Sequence, residues 1–399
     1  MTTEQKDAVL RRMAVELESR AAAVLAANAE DLLAAADHLD RALVDRLRVD
    51  ASKVEAMLLA LREVAEQPDP VGRVLDDRVL PNGLRVINRT VPFGTILIIY
   101  ESRPDVTIEA AAVAFKAGSR ILLKGGREAQ RTNRVLADAW QSALLAEGLP
   151  PDWVQLLTLN RQETQAFLAD PPQPIDLIVP RGGESLIALV QQHATCPVLV
   201  SGRGNNFLFV DREADWEMAK RLIVNGKLSK ISACNALDKV LFDELLPDLV
   251  PRVQGLLADL HGCGVRVWVA AGLAERLACE GWEPLDSDER WDEEFLDYKM
   301  VVGTVSDGRA AADWINRHSG GHSACIVTGL QSAADDFLTA VDCAAVYHNA
   351  STRFTDGGQL GLGAELAIST AKLHHRGPLG LQQLVSNKYF ISGDGQVRG

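Results

Sequence analysis

The sequence predicts an α/β protein made of two consecutive parallel-sheet segments, and three observations carry that prediction. From Pro92 to Val210, short apolar runs alternate with helical stretches, the order that builds βαβ units and a sheet covered on both faces. Residues 213–348 repeat the alternation. At 399 residues the chain is too long for one simple core, so two or three domains are expected.

Bulk composition narrows the function classes. Apolar residues make up 47% of the chain and mean hydropathy is near zero, values of an ordinary globular protein. A net charge of −13 argues against nucleic acid or an anionic membrane as the main partner. It leaves room for a basic pocket holding an anionic small molecule. The six cysteines are scattered without a C-x-x-C pair, which fits neither a zinc cage nor a disulfide framework and points to a reducing cytoplasm. The N-terminus, MTTEQKDAVLRR, lacks the apolar run of a signal peptide. The strongly apolar stretches, such as Gly94–Tyr100, are strand-sized, so no membrane span is expected.

Residues 4–66 read as helices, rich in Ala, Leu, Glu and Arg, with Val9, Met13 and Leu17 at helical spacing. Pro68 and Pro70 end this region. Asn82-Gly83, between the β-prone runs of Arg73–Val91, predicts a hairpin, either a surface arm or one that offers strand edges to another subunit. Expected strands in the first segment are Thr95–Tyr100, Arg120–Leu123, Val154–Leu157, Ile175–Val179 and Val198–Val200, with helices over Val106–Ala117 and Glu128–Glu147. In the second they are Lys239–Phe242, Val265–Val269, Met300–Val305, Ala324–Thr328 and Ala345–His348. Asp286–Asp297 reads as a solvated acidic loop. The tail from Val385 contains a short Tyr-Phe-Ile strand.

Ligands of such folds bind beyond the carboxyl ends of the strands. Two loops there pair a basic residue with two glycines before a helix: Lys124-Gly125-Gly126-Arg127 and Pro180-Arg181-Gly182-Gly183. Glycines admit a close backbone approach and a helix N-terminus favours phosphate, so a dinucleotide suits them. They are equally ordinary turns, and no G-x-G-x-x-G is present. His318-Ser-Gly-Gly-His322 has glycines where a metal-binding helix face would need a regular turn, so no metal site is expected.

Cys234 lies in Asn225–Phe242, a small and polar stretch that leads into an apolar strand. Lys227 and Lys230 precede it, and cations favour the reactive thiolate. By itself such a cysteine is either a nucleophile or inert. Asn349–Gly363 is dense in Gly, Ser and Thr around Arg353. There Arg353 with Ser351 and Thr352 either clamps a carboxylate or phosphate or serves a glycine-rich crossover.

Several motifs together resemble one family. Tyr100-Glu-Ser-Arg-Pro-Asp-Val-Thr107, Pro180-Arg-Gly-Gly183, Asn349-Ala-Ser-Thr-Arg-Phe-Thr-Asp-Gly-Gly358, Gly361-Leu-Gly-Ala-Glu365 and Lys372-Leu-His-His-Arg-Gly-Pro-Leu-Gly380 are similar to those of the gamma-glutamyl phosphate reductases (glutamate-5-semialdehyde dehydrogenases) of the aldehyde dehydrogenase superfamily. The resemblance runs from about Val9 to the end. It implies an aldehyde dehydrogenase-like fold: an NADP-binding domain over 1–72 and 92–210, and a catalytic domain over 211–384 that returns to the first. An oligomerisation element over 73–91 and 385–399 completes it.

The resemblance also implies roles. Cys234, with Asn235 beside it, is the nucleophile. Lys124, Arg127, Arg181, Gly182, Gly183 and Glu294 are cofactor residues: Lys124 for the adenosine ribose, Arg127 for the extra phosphate of NADP, Glu294 for the nicotinamide ribose. Arg103, Ser351 and Arg353 are substrate residues. The implied activity is NADPH-dependent reduction of L-glutamyl 5-phosphate to L-glutamate 5-semialdehyde and phosphate, in L-proline biosynthesis, by a cytoplasmic homo-oligomer with glutamate 5-kinase as a candidate partner.

Three departures stand out. The family's Arg-Pro-Ser-x-Cys-Asn reads Lys230-Ile-Ser-Ala-Cys-Asn235 here. The Glu-Leu-Gly-Gly segment that carries the base of hydrolytic relatives corresponds to Val200-Ser-Gly-Arg-Gly204, without a glutamate. The superfamily's oxyanion asparagine is not matched, with Ser102 and Arg103 near its place. Rival readings are a dehydrogenase that passes its thioester to water or coenzyme A, and a silent relative that works as a binding partner.

Overall fold

A computed structural model of the chain describes residues 1–36, 38–39, 41–373 and 375–398. His374 of the Lys372–Gly380 motif and Gly399 of the expected tail element lie outside the described residues. The chain forms two compact units: Met1–Val200 with Gly361–Ala367 and Pro378–Gly399, and Ser201–Leu360 with Ile368–Gly377.

The first unit opens with α1 (Thr3–Ser19), α2 (Ala21–Ala35), α3 (Arg41–Leu47) and α4 (Ala51–Glu66). There follow β1 (Val74–Val79), β2 (Arg85–Pro92), β3 (Thr95–Tyr100), α5 (Val106–Lys116), β4 (Arg120–Lys124), α6 (Gln130–Ala146), β5 (Val154–Leu156), α7 (Arg161–Ala169), β6 (Leu177–Arg181) and α8 (Glu184–His193). Strands β5-β4-β3-β6 form a parallel sheet. Alternate residues serve its two faces. Ile96, Ile98, Ile121, Leu123 and Val179 pack with the N-terminal helices, Phe115 and Trp140, while Leu97, Ile99, Leu122 and Ile178 pack with Leu168 and Val190. Burial of both faces is why these strands read as unbroken apolar runs. Val198–Val200, expected as a strand, is not one: Val198 makes a single parallel bridge to Ile178.

The second unit contains β7 (Asn206–Val210), α9 (Trp216–Leu228), β8 (Leu237–Asp243), α10 (Leu249–Gly262), β9 (Arg266–Val269), α11 (Ala271–Ala274), β10 (Glu283–Pro284), β11 (Lys299–Val305), α12 (Gly308–His318), β12 (Ser323–Val327), α13 (Gln331–Ala340) and β13 (Ala345–His348). Its sheet runs β10-β9-β11-β8-β7-β12-β13, parallel throughout. Val240 and Phe242 face one core with α9 and α10; Leu241 faces the other with α12 and α13. The sequence reading missed β7, in which only Phe207–Val210 are apolar after two asparagines, and it placed the boundary at 210 instead of before Ser201. Asp286–Asp297 is not a solvated loop. Trp291 and Phe295 are buried in the second core, with Trp291 stacked on Phe207.

The returning chain makes β14 (Glu365–Ser369), β15 (Gly377–Gly380) and β16 (Val385–Ser392). The predicted hairpin is β1–β2. Leu80 C=O accepts from Gly83 N–H and Leu84 C=O from Leu80 N–H, with Gly83 left-handed at φ +86°, the pattern of a three-residue loop closed by a glycine bulge. Strand β16 pairs antiparallel with β2 along its whole length. The sheet β1-β2-β16 therefore joins the two segments expected to act together, and Val74, Leu75, Val79, Phe390 and Ile391 are exposed on it. No helix among the described residues is long and apolar enough to cross a membrane.

Candidate active site

In the second unit Cys234 sits, partly buried, in a stretch of turns between α9 and β8. Two β-turns build that stretch: Ala233 N–H donates to Lys230 C=O and Ala236 N–H to Ala233 C=O. The Asn235 amide nitrogen donates to the carbonyls of Arg353 (3.2 Å) and Thr355 (2.9 Å), and Thr352 Oγ1 donates to Asn235 C=O (2.9 Å). The cysteine turn and the 351–355 segment are thus one hydrogen-bonded body.

The cation acting on Cys234 is Arg353, not Lys227. Lys227 is fully buried and its ammonium pairs with Asp238 at 2.7 Å, because the last turn of α9 points it into the core. Lys230 is exposed. Arg353 is partly buried, with Nε donating to Ser229 Oγ (3.0 Å) and Nη1 buried without a hydrogen-bond partner. Burial lowers its pKa, against the electrostatic pull of Cys234 and Asp356. Ser351 Oγ donates to Asn225 Oδ1 (2.8 Å) and accepts from Arg353 N–H, so it orients the segment that presents the arginine.

Glu294 belongs to the same unit and the same place. A Cβ built on Gly204 would overlap the Cys234 carbonyl and lie 2.6 Å from Glu294 Oε1. The Glu294 loop is fastened to β8 on both sides: Lys239 Nζ donates to Glu293 C=O (2.8 Å) and Phe295 N–H to Asp238 Oδ2 (2.9 Å). The Lys239 ammonium also lies 3.8 Å from the centroid of the Phe295 ring, a cation–π contact.

Burial, with Lys227 adding to it, pushes Lys239 down to about 7, against the pull of Asp238 and Glu293. The ordinary value is 10.5, so between the two values the unfolded chain holds a proton that the folded chain has released, and stability rises with pH across that window. Below it both states are protonated and the cost is complete. Lys239→Met removes this contribution. Urea unfolding should therefore show the variant's stability, relative to wild type, declining from pH 7 to pH 10; parallel curves would contradict the assignment.

In the first unit, Lys124 ends β4 and is partly buried, and burial lowers its pKa against the attraction of Glu128 and Glu101. A cavity of about 250 Å³ opens beside its loop, lined by Gly125, Gly126, Arg127, Asn133, Asn160 and Glu163 among others. Ser102 is left-handed at φ +50°, and its N–H and Oγ both donate to Glu128 Oε1 (2.6 and 3.0 Å). Gly183 N–H donates to Glu101 Oε2 (3.2 Å), and Gly182 packs against the same carboxylate, so an anion already caps α8. Arg103 and Arg181 act on one group, Glu109. Burial and Asp105 push that carboxyl up to about 7, while the two arginines and Lys53 oppose the rise.

Of the residues the sequence singles out, Cys234, Glu294 and Arg353 come together in the second unit. Asn206, Gly204 and Lys239, which it passes over, join them through backbone groups that no sequence pattern marks. Cys325 and Cys343 are buried, and burial pushes their thiols up to about 12 and 11. His318 Nδ1 pairs with Asp292, and His322 Nδ1 with Ser323 Oγ.

The aldehyde dehydrogenase family model matches residues 1–259. A gamma-glutamyl phosphate reductase of Neisseria meningitidis is 42% identical over 405 aligned residues, covering 99% of this chain and 94% of that protein. One of Koribacter versatilis is 43% identical over 401, covering 100% and 95%. The crystal structure of gamma-glutamyl phosphate reductase from Thermotoga maritima matches with a TM-score of 0.93 at 36% identity, covering 100% of this chain and 95% of that one.

Proposed function

The chain belongs to the aldehyde dehydrogenase family and, within it, to the gamma-glutamyl phosphate reductases. From that premise we propose that it reduces L-glutamyl 5-phosphate to L-glutamate 5-semialdehyde and phosphate, the second step of L-proline biosynthesis from glutamate. The observation that supports this best is the partly buried Cys234 under the charge of Arg353, whose Nη1 is buried and unpartnered. A guanidinium there suits a substrate bearing carboxylate and phosphate.

The Cys234 thiolate attacks the acyl carbon, the bond to the phosphate oxygen breaks, and a thioester remains. A nicotinamide cofactor, when bound, would supply a hydride to the thioester carbonyl carbon. The resulting thiohemiacetal anion on Cys234 then collapses, breaking the C–S bond to release the aldehyde and return the thiolate. The Cys234 N–H is a donor for the developing oxyanion. Arg353 holds an anionic group of the substrate, Ser351 acts through Arg353, and Asn235, its amide committed to two carbonyls, positions the turn.

For the cofactor, the partly buried Lys124 and the cavity beside Arg127 fit a phosphate-bearing ligand. Since Glu101 caps α8, the phosphate role falls to the Lys124–Arg127 loop, which is our reason for NADPH over NADH. Arg181, Gly182 and Gly183 line the neighbouring strand end, and Glu294 meets a ribose hydroxyl. The first unit is then the cofactor domain, the second the catalytic one, and the sheet β1-β2-β16 the element that joins subunits of a cytoplasmic homo-oligomer. Glutamate 5-kinase remains the partner of choice, because an acyl phosphate is labile.

The test runs the reaction in reverse. Glutamate semialdehyde and NADP⁺ should yield NADPH only when phosphate is present. Turnover indifferent to phosphate would replace this reading with the hydrolytic one.

A further inference from the structure

We propose that Asn206 is a positioning residue for the nucleophile: its side-chain amide gathers the carbonyls around Cys234 and holds the thiol in its attacking orientation. The inference rests on the reading of Cys234 as nucleophile. Asn206 is fully buried at the start of β7. Its Nδ2 donates to Gly204 C=O (2.8 Å), Cys234 C=O (2.8 Å) and Ala236 C=O (2.7 Å). Three acceptors around one atom fix the amide orientation, since the opposite flip would aim an oxygen at three oxygens.

The sheet explains why a side chain is needed here. Asn206 pairs with Leu237 but Phe207 pairs with Lys239, so β8 carries an extra residue, Asp238, at the point where the cysteine turn enters the strand. Such a bulge interrupts the ladder and re-aims the chain. The Asn206 amide restores the missing donors, bridging the Gly204 loop, the turn and the strand. On the far side Asn235 ties the turn to Arg353 and Thr355, so Cys234 is held between two asparagine amides.

In the β-turn from Lys230 to Ala233, Ile231 holds the second position, where proline is favoured because its φ is preset. A proline there offers a backbone route to the rigidity that Asn206 supplies through hydrogen bonds.

The experiment compares wild type, Asn206→Ser, Asn206→Ala and Asn206→Ala with Ile231→Pro, all loaded with NADP⁺. Two readouts are taken: turnover with phosphate, and the rate of iodoacetamide labelling at Cys234 against pH, followed by peptide mass mapping. The alanine variant should lose about 10²-fold in kcat with KM for NADP⁺ near wild type, and its labelling profile should move. Serine, which keeps one donor, and the added proline should each recover part of both. Wild-type kcat and labelling in the alanine variant would overturn the proposal. So would a parallel loss of kcat, cofactor affinity and melting temperature that serine and proline leave uncorrected. A wild type that labels at Cys234 but never turns over would instead overturn the functional reading, leaving the labelling comparison to judge Asn206.

Discussion

Cys234→Ala should lower phosphate-dependent turnover by about 10³-fold or more, while the protein folds and binds cofactor as before. The expectation follows from chemistry: without the sulfur no thioester forms, and the remaining groups only position the substrate. Cys234→Ser should be nearly as impaired, since a hydroxyl is a far weaker nucleophile than a thiol at neutral pH. The thiol is partly buried in a turn, so its removal opens no large core cavity. Turnover assays and thermal melts on the same preparations check both halves. An alanine variant within tenfold of wild type would remove Cys234 from the mechanism.

Gly204→Ala should produce the second largest loss, about 10²-fold in kcat, with roughly 1–3 kcal/mol of stability lost to overpacking. The added methyl would overlap the Cys234 carbonyl and crowd Glu294 Oε1 at 2.6 Å. Backbone cannot rotate away as a long side chain does, so the turn itself must move. A fully active alanine variant, measured by kcat and urea unfolding, would show that the thiol needs no such fixed seat.

The fold was legible where a local rule decided it. Asn82-Gly83 marked the hairpin because a left-handed residue must close it, and β3 and β4 showed as apolar runs because both faces of their sheet are buried. β7 hid because only Phe207–Val210 are apolar, after Asn205 just before the strand and Asn206 at its first position, both buried with their amides donating to carbonyls. The site was legible only in part. Cys234, Arg353 and Glu294 have side chains capable of chemistry, so residue type singles them out as candidates, and the fold brings them together. Lys227 misled because sequence proximity is not spatial proximity: seven residues before the cysteine, it faces Asp238 in the core. Lys239 looked like one charge at the edge of a strand, yet it fastens the Glu294 loop from inside the sheet. Asn206 also reaches the carbonyls of Cys234 and Ala236, and Lys239 that of Glu293, backbone groups distant in the chain that only the fold brings together.

The most direct test of the central claim is a phosphate-free burst. Glutamate semialdehyde and NADP⁺, mixed with enzyme in the absence of phosphate, should release NADPH once, in proportion to active sites, and then stop. Intact mass and peptide mapping should then find a glutamyl group on Cys234, and added phosphate should discharge it and restart NADPH formation. Continuous NADPH release without phosphate, or a burst that leaves no glutamyl group on Cys234, would contradict the account.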